Sequence, residues 1–218
     1  MYKKKPAGKV YFWAVGLLSV MHLAGLIGYI TPGLRDLFLL LTPFNLICMT
    51  AVLLYFQQTR SSRFIIYIAS AFTLGFIAEA IGVNTGYLFG DYAYGKTLGP
   101  KLLGVPLVIG LNWISLTCIS GVLCNQLPLP DVLKAFIGSM GLVLLDVIIE
   151  PVAIQYDFWQ WQGGIIPWGN YIGWLLIAFL ILLIFYRLKF NKQNPMALPV
   201  FIIQLLFFLT LFVYLSIV

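Results

Sequence analysis

Charge is scarce in this chain. Asp, Glu, Lys and Arg make up only 9% of its 218 residues, against roughly a quarter in an ordinary soluble domain. A protein solvated mainly by water is thereby excluded. Cysteine is scarce too: Cys48, Cys118 and Cys124 all lie within apolar runs, with no CxxC pair and no neighbouring histidine. A disulfide framework and a zinc site are both unexpected. The one histidine, His22, sits alone near the middle of an apolar run and reads as a packed polar residue rather than a catalyst or ligand. The formal charge of +6 does not indicate nucleic acid, because the basic residues occur in short clusters between apolar runs, where lipid headgroups and topology account for them.

What is abundant is apolar: 61% of the residues are hydrophobic. A spanning helix needs about 20 mostly apolar residues, so this length holds six to eight spans and no separate soluble domain. We expect an all-α polytopic bundle of about seven spans forming a single transmembrane domain over 1–218, with helices near 10–30, 36–56, 64–84, 104–124, 132–150, 168–187 and 198–218. The first run follows Lys3, Lys4, Lys5 and Lys9. It is too long for a signal peptide and Thr31-Pro32-Gly33 offers no small-x-small cleavage site, so it reads as a retained span. With the N-terminal side labelled A, side A also carries Arg60, Arg63, Lys134, Arg187, Lys189 and Lys192, whereas side B has Arg35, Lys96 and Lys101. The positive-inside rule makes side A cytoplasmic in a cell membrane and the C-terminus extracytoplasmic. Most prolines fall in connections, and Pro106 and Pro199 fit first helical turns. Pro43 is internal and predicts a kink with Thr42 and Asn45 serving the freed backbone.

Two side B loops stand apart. One runs from Thr85 to Gly95 and the other from Gln155 to Gly164; both set an acid, Asp91 or Asp157, just before aromatics spaced two apart and then glycine. The pattern resembles a worn duplication of a helix-loop-helix unit. An interfacial belt is the plain account of such aromatics.

Acids number seven, so their positions are informative. Glu79, Asp146 and Glu150 lie in runs that otherwise read as lipid-buried, where an ionisable group is by default a functional candidate. At about 1.5 Å per residue, Glu79, Asp146 and Asn112 sit roughly 6–12 Å from side B, with Glu150 and Asn170 at the same edge. Asp146 and Glu150, four apart, share a helix face, and Pro151 predicts that the helix stops at Glu150. Gly75, Glu79, Gly82 and Gly86 form a stripe that admits a packed helix or a flat ligand. Carboxyls brought together in a low dielectric cannot all ionise easily, so one keeps a proton and serves as a general acid.

The words Glu79-Ala80-Ile81-Gly82-Val83-Asn84-Thr85-Gly86, Phe89-Gly90-Asp91-Tyr92-Ala93-Tyr94 and Leu98-Gly99-Pro100-Lys101-Leu102-Leu103-Gly104-Val105-Pro106-Leu107, with Trp113, carry a resemblance. A second block follows through Asp146, Pro151, Trp159, Trp161, Pro167, Asn170, Gly173 and Trp174. Over about residues 70–180 the chain resembles membrane carotenoid biosynthesis proteins, the group of the carotenoid 1′,2′-hydratases and the C50 carotenoid hydratases. It departs from them at Glu150, where Asp is usual, and along Ile165 to Asn170. The resemblance implies addition of water across the terminal double bond of an acyclic carotenoid end, lycopene or γ-carotene for example, to give a tertiary alcohol. In that chemistry Glu79 and Asp146 are the expected acid and base, in an order the sequence leaves open, with Glu150 beside them. Asp91, Asn112 and Asn170 are expected as supporting polar groups, and Tyr87, Tyr92, Tyr94, Trp113, Trp159 and Trp161 as aromatic faces for the cation. No cofactor or metal is called for; the partners are the carotenoid, membrane lipid and water, with room for association with other carotenoid enzymes. Two rivals stay open: a cyclase using the same protonation, and a proton-coupled transporter or lipid carrier. A retinal photoreceptor is excluded because the last run, 198–218, holds no lysine.

Overall fold

A computed structural model describes residues 8–217; the Lys3, Lys4 and Lys5 cluster and Val218 lie outside them. Among the described residues there are seven α-helices: α1 Lys9–Ile30, α2 Pro32–Tyr55, α3 Ser62–Thr85, α4 Val108–Cys124, α5 Asp131–Gln155, α6 Trp168–Arg187 and α7 Ala197–Ile217. Six are long and apolar enough to cross a membrane, and α4 is the short one. The chain is thus an all-α polytopic bundle.

The fourth helix, the short one, is the core of the bundle. It packs against α2, α3, α5, α6 and α7, and its residues from Trp113 to Val122 are buried without a break. A helix that is apolar all round finds its solvent inside protein. Its few hydroxyls tie it to its neighbours: Thr50 Oγ1 meets Ser115 Oγ at 2.8 Å, and the Tyr67 hydroxyl meets Thr117 Oγ1 at 2.8 Å. Tyr186 donates to the Gly121 carbonyl at 2.8 Å.

The run expected to be helical from 104 begins instead at Val108, and Pro106 is not in a helical first turn. Residues 101–106 form a small hairpin of β2 Lys101–Leu102 and β3 Val105–Pro106, paired antiparallel. Leu103 and Gly104 turn it with φ of 53° and 81°, both positive as a two-residue hairpin turn requires. Nor does α5 stop at Glu150. It runs through Pro151 to Gln155, and its last turn is held by burial: Val152 and Ala153 are fully enclosed, and their carbonyls accept from the amides of Tyr156 and Phe158. Asp157, at φ 55°, then ends the segment. The Pro43 environment also differs from expectation. Thr42 does bond back to the Phe38 carbonyl, but Asn45 reaches across to His22 and serves no backbone of its own helix.

Two loop segments join as a further antiparallel pair, β1 Tyr92–Tyr94 with β4 Trp159–Trp161. The all-helical expectation omitted these strands, since two aromatics spaced by two cannot by themselves be told from an interfacial belt.

Candidate active site

The β1–β4 pair forms a lid over the side B end of α3, α4, α5 and α6. Its register sets Tyr92 opposite Trp161, Ala93 opposite Gln160 and Tyr94 opposite Trp159. Side chains alternate across a strand, so Ala93 and Gln160 face outward and exposed while all four aromatics turn inward. The loop acids build this lid. Asp157 accepts the Lys96 amide at 3.0 Å, the Asp91 carbonyl accepts the Gln162 amide at 2.9 Å, and Gly95 donates to the Phe158 carbonyl at 2.9 Å. Lys101 Nζ donates to the Tyr94 carbonyl.

Beneath the lid two carboxyls are served in parallel ways. Glu79 on α3 accepts from the Tyr92 hydroxyl at 2.5 Å, the Tyr94 hydroxyl at 2.8 Å and Trp113 Nε1 at 3.1 Å. Glu150 on α5 accepts from Trp159 Nε1 at 3.1 Å, Trp161 Nε1 at 2.9 Å and Asn170 Nδ2 at 2.9 Å. Each carboxyl therefore takes two aromatic donors from a lid strand and one donor from the helix that follows. Asn170 Nδ2 also donates to Asp146 Oδ2 at 2.8 Å, which spends both hydrogens of its amide on two carboxyls one helical turn apart. Asp146 Oδ1 is buried without a partner. Among the described residues no Lys, Arg or His nitrogen lies within 4.0 Å of these three carboxyls. The lid phenols are firm neutral donors: burial first, and then the adjacent Glu79 carboxylate, push both Tyr92 and Tyr94 well above the ordinary phenol range.

The glycine stripe of α3 is filled by the protein itself. A side chain at Gly75 would meet the Trp113 ring, and one at Gly82 the rings of Phe89 and Tyr92. Glycine at these positions lets the donors of Glu79 approach its helix.

Glu79, Glu150, Asn112, Asn170, Trp113 and the four lid aromatics line one cavity of about 30 Å³. That is room for a water molecule or two. A second cavity of about 310 Å³, largely apolar, adjoins it and shares Ile109, Asn112, Trp159 and Trp174 as walls. Three expected site residues fall elsewhere. Asp146 is fully enclosed behind Asn170 and lines neither cavity. Tyr87 is 75% exposed, because α3 ends at Thr85 and Gly86 turns the chain outward at φ 71°. Asp91 is exposed at the lid margin, its carboxylate against Gly86. Trp174, which the sequence marks only as part of the resemblance and not as a site residue, stacks on Trp113 with centroids 4.8 Å apart. The signal was its spacing of four from Asn170, which sets both on one face of α6.

Fold and site together define a polytopic helical membrane protein with a carboxyl and aromatic pocket set against an apolar chamber. The chain belongs to the carotenoid biosynthesis protein family, whose family model matches residues 38–218. It is 32% identical over 117 residues to the bisanhydrobacterioruberin hydratase of Haloarcula japonica, an alignment covering 49% of this chain and 39% of that relative. No solved structure matches.

Proposed function

We propose that this protein is a carotenoid hydratase that adds water across the terminal double bond of an acyclic carotenoid end. The observation that carries the reading is the pairing of cavities: a water-sized space lined by Glu79 and Glu150 adjoins, across the shared residues Ile109, Asn112, Trp159 and Trp174, a chamber suited to a hydrocarbon chain. One of the two carboxyls delivers a proton to the less substituted alkene carbon, forming a C–H bond and leaving a tertiary cation. Water held between the carboxyls adds to the cation through oxygen, and the other carboxylate takes the released proton. The net change is one water gained. Aromatic faces at Trp159 and Trp174, on the wall between the cavities, stabilise the cation by roughly 0.5–2 kcal/mol each.

Sequence reasoning paired Glu79 with Asp146; the geometry favours Glu79 with Glu150. Both line the polar cavity, whereas Asp146 touches it only through Asn170. Asp146 then acts as a positioning residue that orients the amide on Glu150. Hydration is favoured over cyclisation by the room for water beside the carboxyls. Coexpression with lycopene or γ-carotene synthesis tests the reading. The expected pigment is heavier by one water for each modified end. An unchanged pigment would sink the proposal, and an isomer of unchanged mass would make the protein a cyclase.

A further inference from the structure

Four residues face both cavities, and among Ile109, Asn112, Trp159 and Trp174 only Asn112 has a side chain that accepts a hydrogen bond. Ile109 is apolar. An indole has only its N–H to give, and that of Trp159 is already spent on Glu150. Ile109 and Asn112 stand three apart near the side B end of α4, which sets them on one face of the helix. Trp113, next in the chain, donates to Glu79, so the amide lies beside the acid and base without being bonded to either.

Among the described residues none hydrogen-bonds the Asn112 side chain, and the amide is not sealed in as Asp146 Oδ1 is; it is half-buried, with open space on both sides. Asn170, the other amide of the polar cavity, has its nitrogen committed to Asp146 and Glu150. A space of about 30 Å³ admits water but not the substituted carbons of an alkene. The cation therefore forms on the chamber side, and water approaches it across the boundary where Asn112 stands. Water attacking through oxygen has two hydrogens to place. One goes to the carboxylate that serves as base, and the second needs an acceptor at the apolar edge. Without that acceptor the cation has another exit: a neighbouring C–H bond breaks, its proton passes to the carboxylate, and a double bond forms again with no water gained.

We infer that Asn112 decides between these two exits: its Oδ1 accepts the second hydrogen of the attacking water and holds that water at the boundary, so that capture outruns proton loss. The inference rests on the hydratase reading and adds to it a specificity-determining residue separate from the carboxyls that exchange the proton.

The test is turnover of lycopene in D₂O by the purified full chain in detergent, with products weighed by mass spectrometry. Capture yields a polyene heavier by one D₂O; protonation followed by proton loss yields an unhydrated polyene with one deuterium in place of one hydrogen. Asn112→Leu keeps the bulk and removes the acceptor. It should lower the hydrate about tenfold, the net worth of one hydrogen bond, while the sum of hydrate and deuterated polyene stays near that of the unsubstituted protein. Asn112→Ala leaves room for a further water to accept in place of the amide, so part of the lost hydrate should return; it also keeps the test standing if leucine disturbs the packing of α4. Full hydration by Asn112→Leu, or a fall of hydrate and deuterated polyene together in both variants, would overturn the inference. An unsubstituted protein that forms neither product would sink the hydratase reading itself, whereas a hydrating protein whose variants do not divide the two products would sink this inference alone.

Discussion

Three donors on Glu79 and three on Glu150 hold both carboxyl groups in fixed orientation, and the proposed chemistry asks each to exchange a proton. Glu79→Gln and Glu150→Gln keep the shape and remove the proton exchange, so each should cost about 10²–10⁴ in hydration rate while the protein still inserts. Asp146→Asn should cost less, since an amide oxygen at that position still accepts from Asn170; a loss as deep as that of Glu79→Gln would return Asp146 to the reacting pair. All three acids were legible from sequence, because an acid within an apolar run has few bland explanations. Which two of them meet was not, since side-chain direction depends on how four helices turn about their axes. The lid phenols give a pH prediction with a definite sign. Unfolded, they titrate near the ordinary phenol value of about 10, while in the fold they stay protonated to higher pH. Above about pH 10 the unfolded state therefore releases protons that the native state keeps, and stability falls as pH rises. A Tyr92→Phe, Tyr94→Phe double variant should show a shallower fall of Tm with pH across that range.

Among the elements, the β1–β4 lid decides the most. Strand pairing between residues far apart in sequence turned two loop motifs, readable only as a repeated aromatic spacing, into one roof whose inner face supplies four donors. The resemblance between the two loops was visible in sequence; their mutual pairing was not, because three-residue strands carry too little pattern to announce a partner. Ala93 and Gln160 stand directly opposite on the outer face, so an Ala93→Cys, Gln160→Cys protein should cross-link on oxidation, detectable as a mobility shift lost on reduction. The cross-linked protein should keep its hydration activity, because the chamber proposed to receive the polyene lies mainly among α1, α2, α4 and α7, with Trp159 its one residue from the lid strands. Failure to cross-link would refute the register, and lost turnover would mean that the lid must open.

At the scale of the molecule, a water-sized polar pocket near one face and a larger apolar chamber reaching toward the middle suit a reaction between a lipid-borne polyene and water. The proposed topology sets the lid outside the cytoplasm, as the clustering of Lys and Arg on the other side suggests. In a background lacking Cys48, Cys118 and Cys124, Gln160→Cys should be labelled by a membrane-impermeant maleimide added to whole cells and Gln58→Cys only after lysis; the reverse pattern would invert the orientation. Composition alone determined that the chain is a bundle of about seven helices, because so few charges and such long apolar runs leave no other way to satisfy the backbone in lipid. Sequence also singled out the acids and the aromatic loops. Only the tertiary structure decided that α4 is an enclosed core helix, that the loops pair, and that Glu150 rather than Asp146 lines the small cavity together with Glu79. The physical reason is that periodicity records how apolar a segment is and at what spacing, whereas helix rotation and strand register follow from contacts between segments distant along the chain.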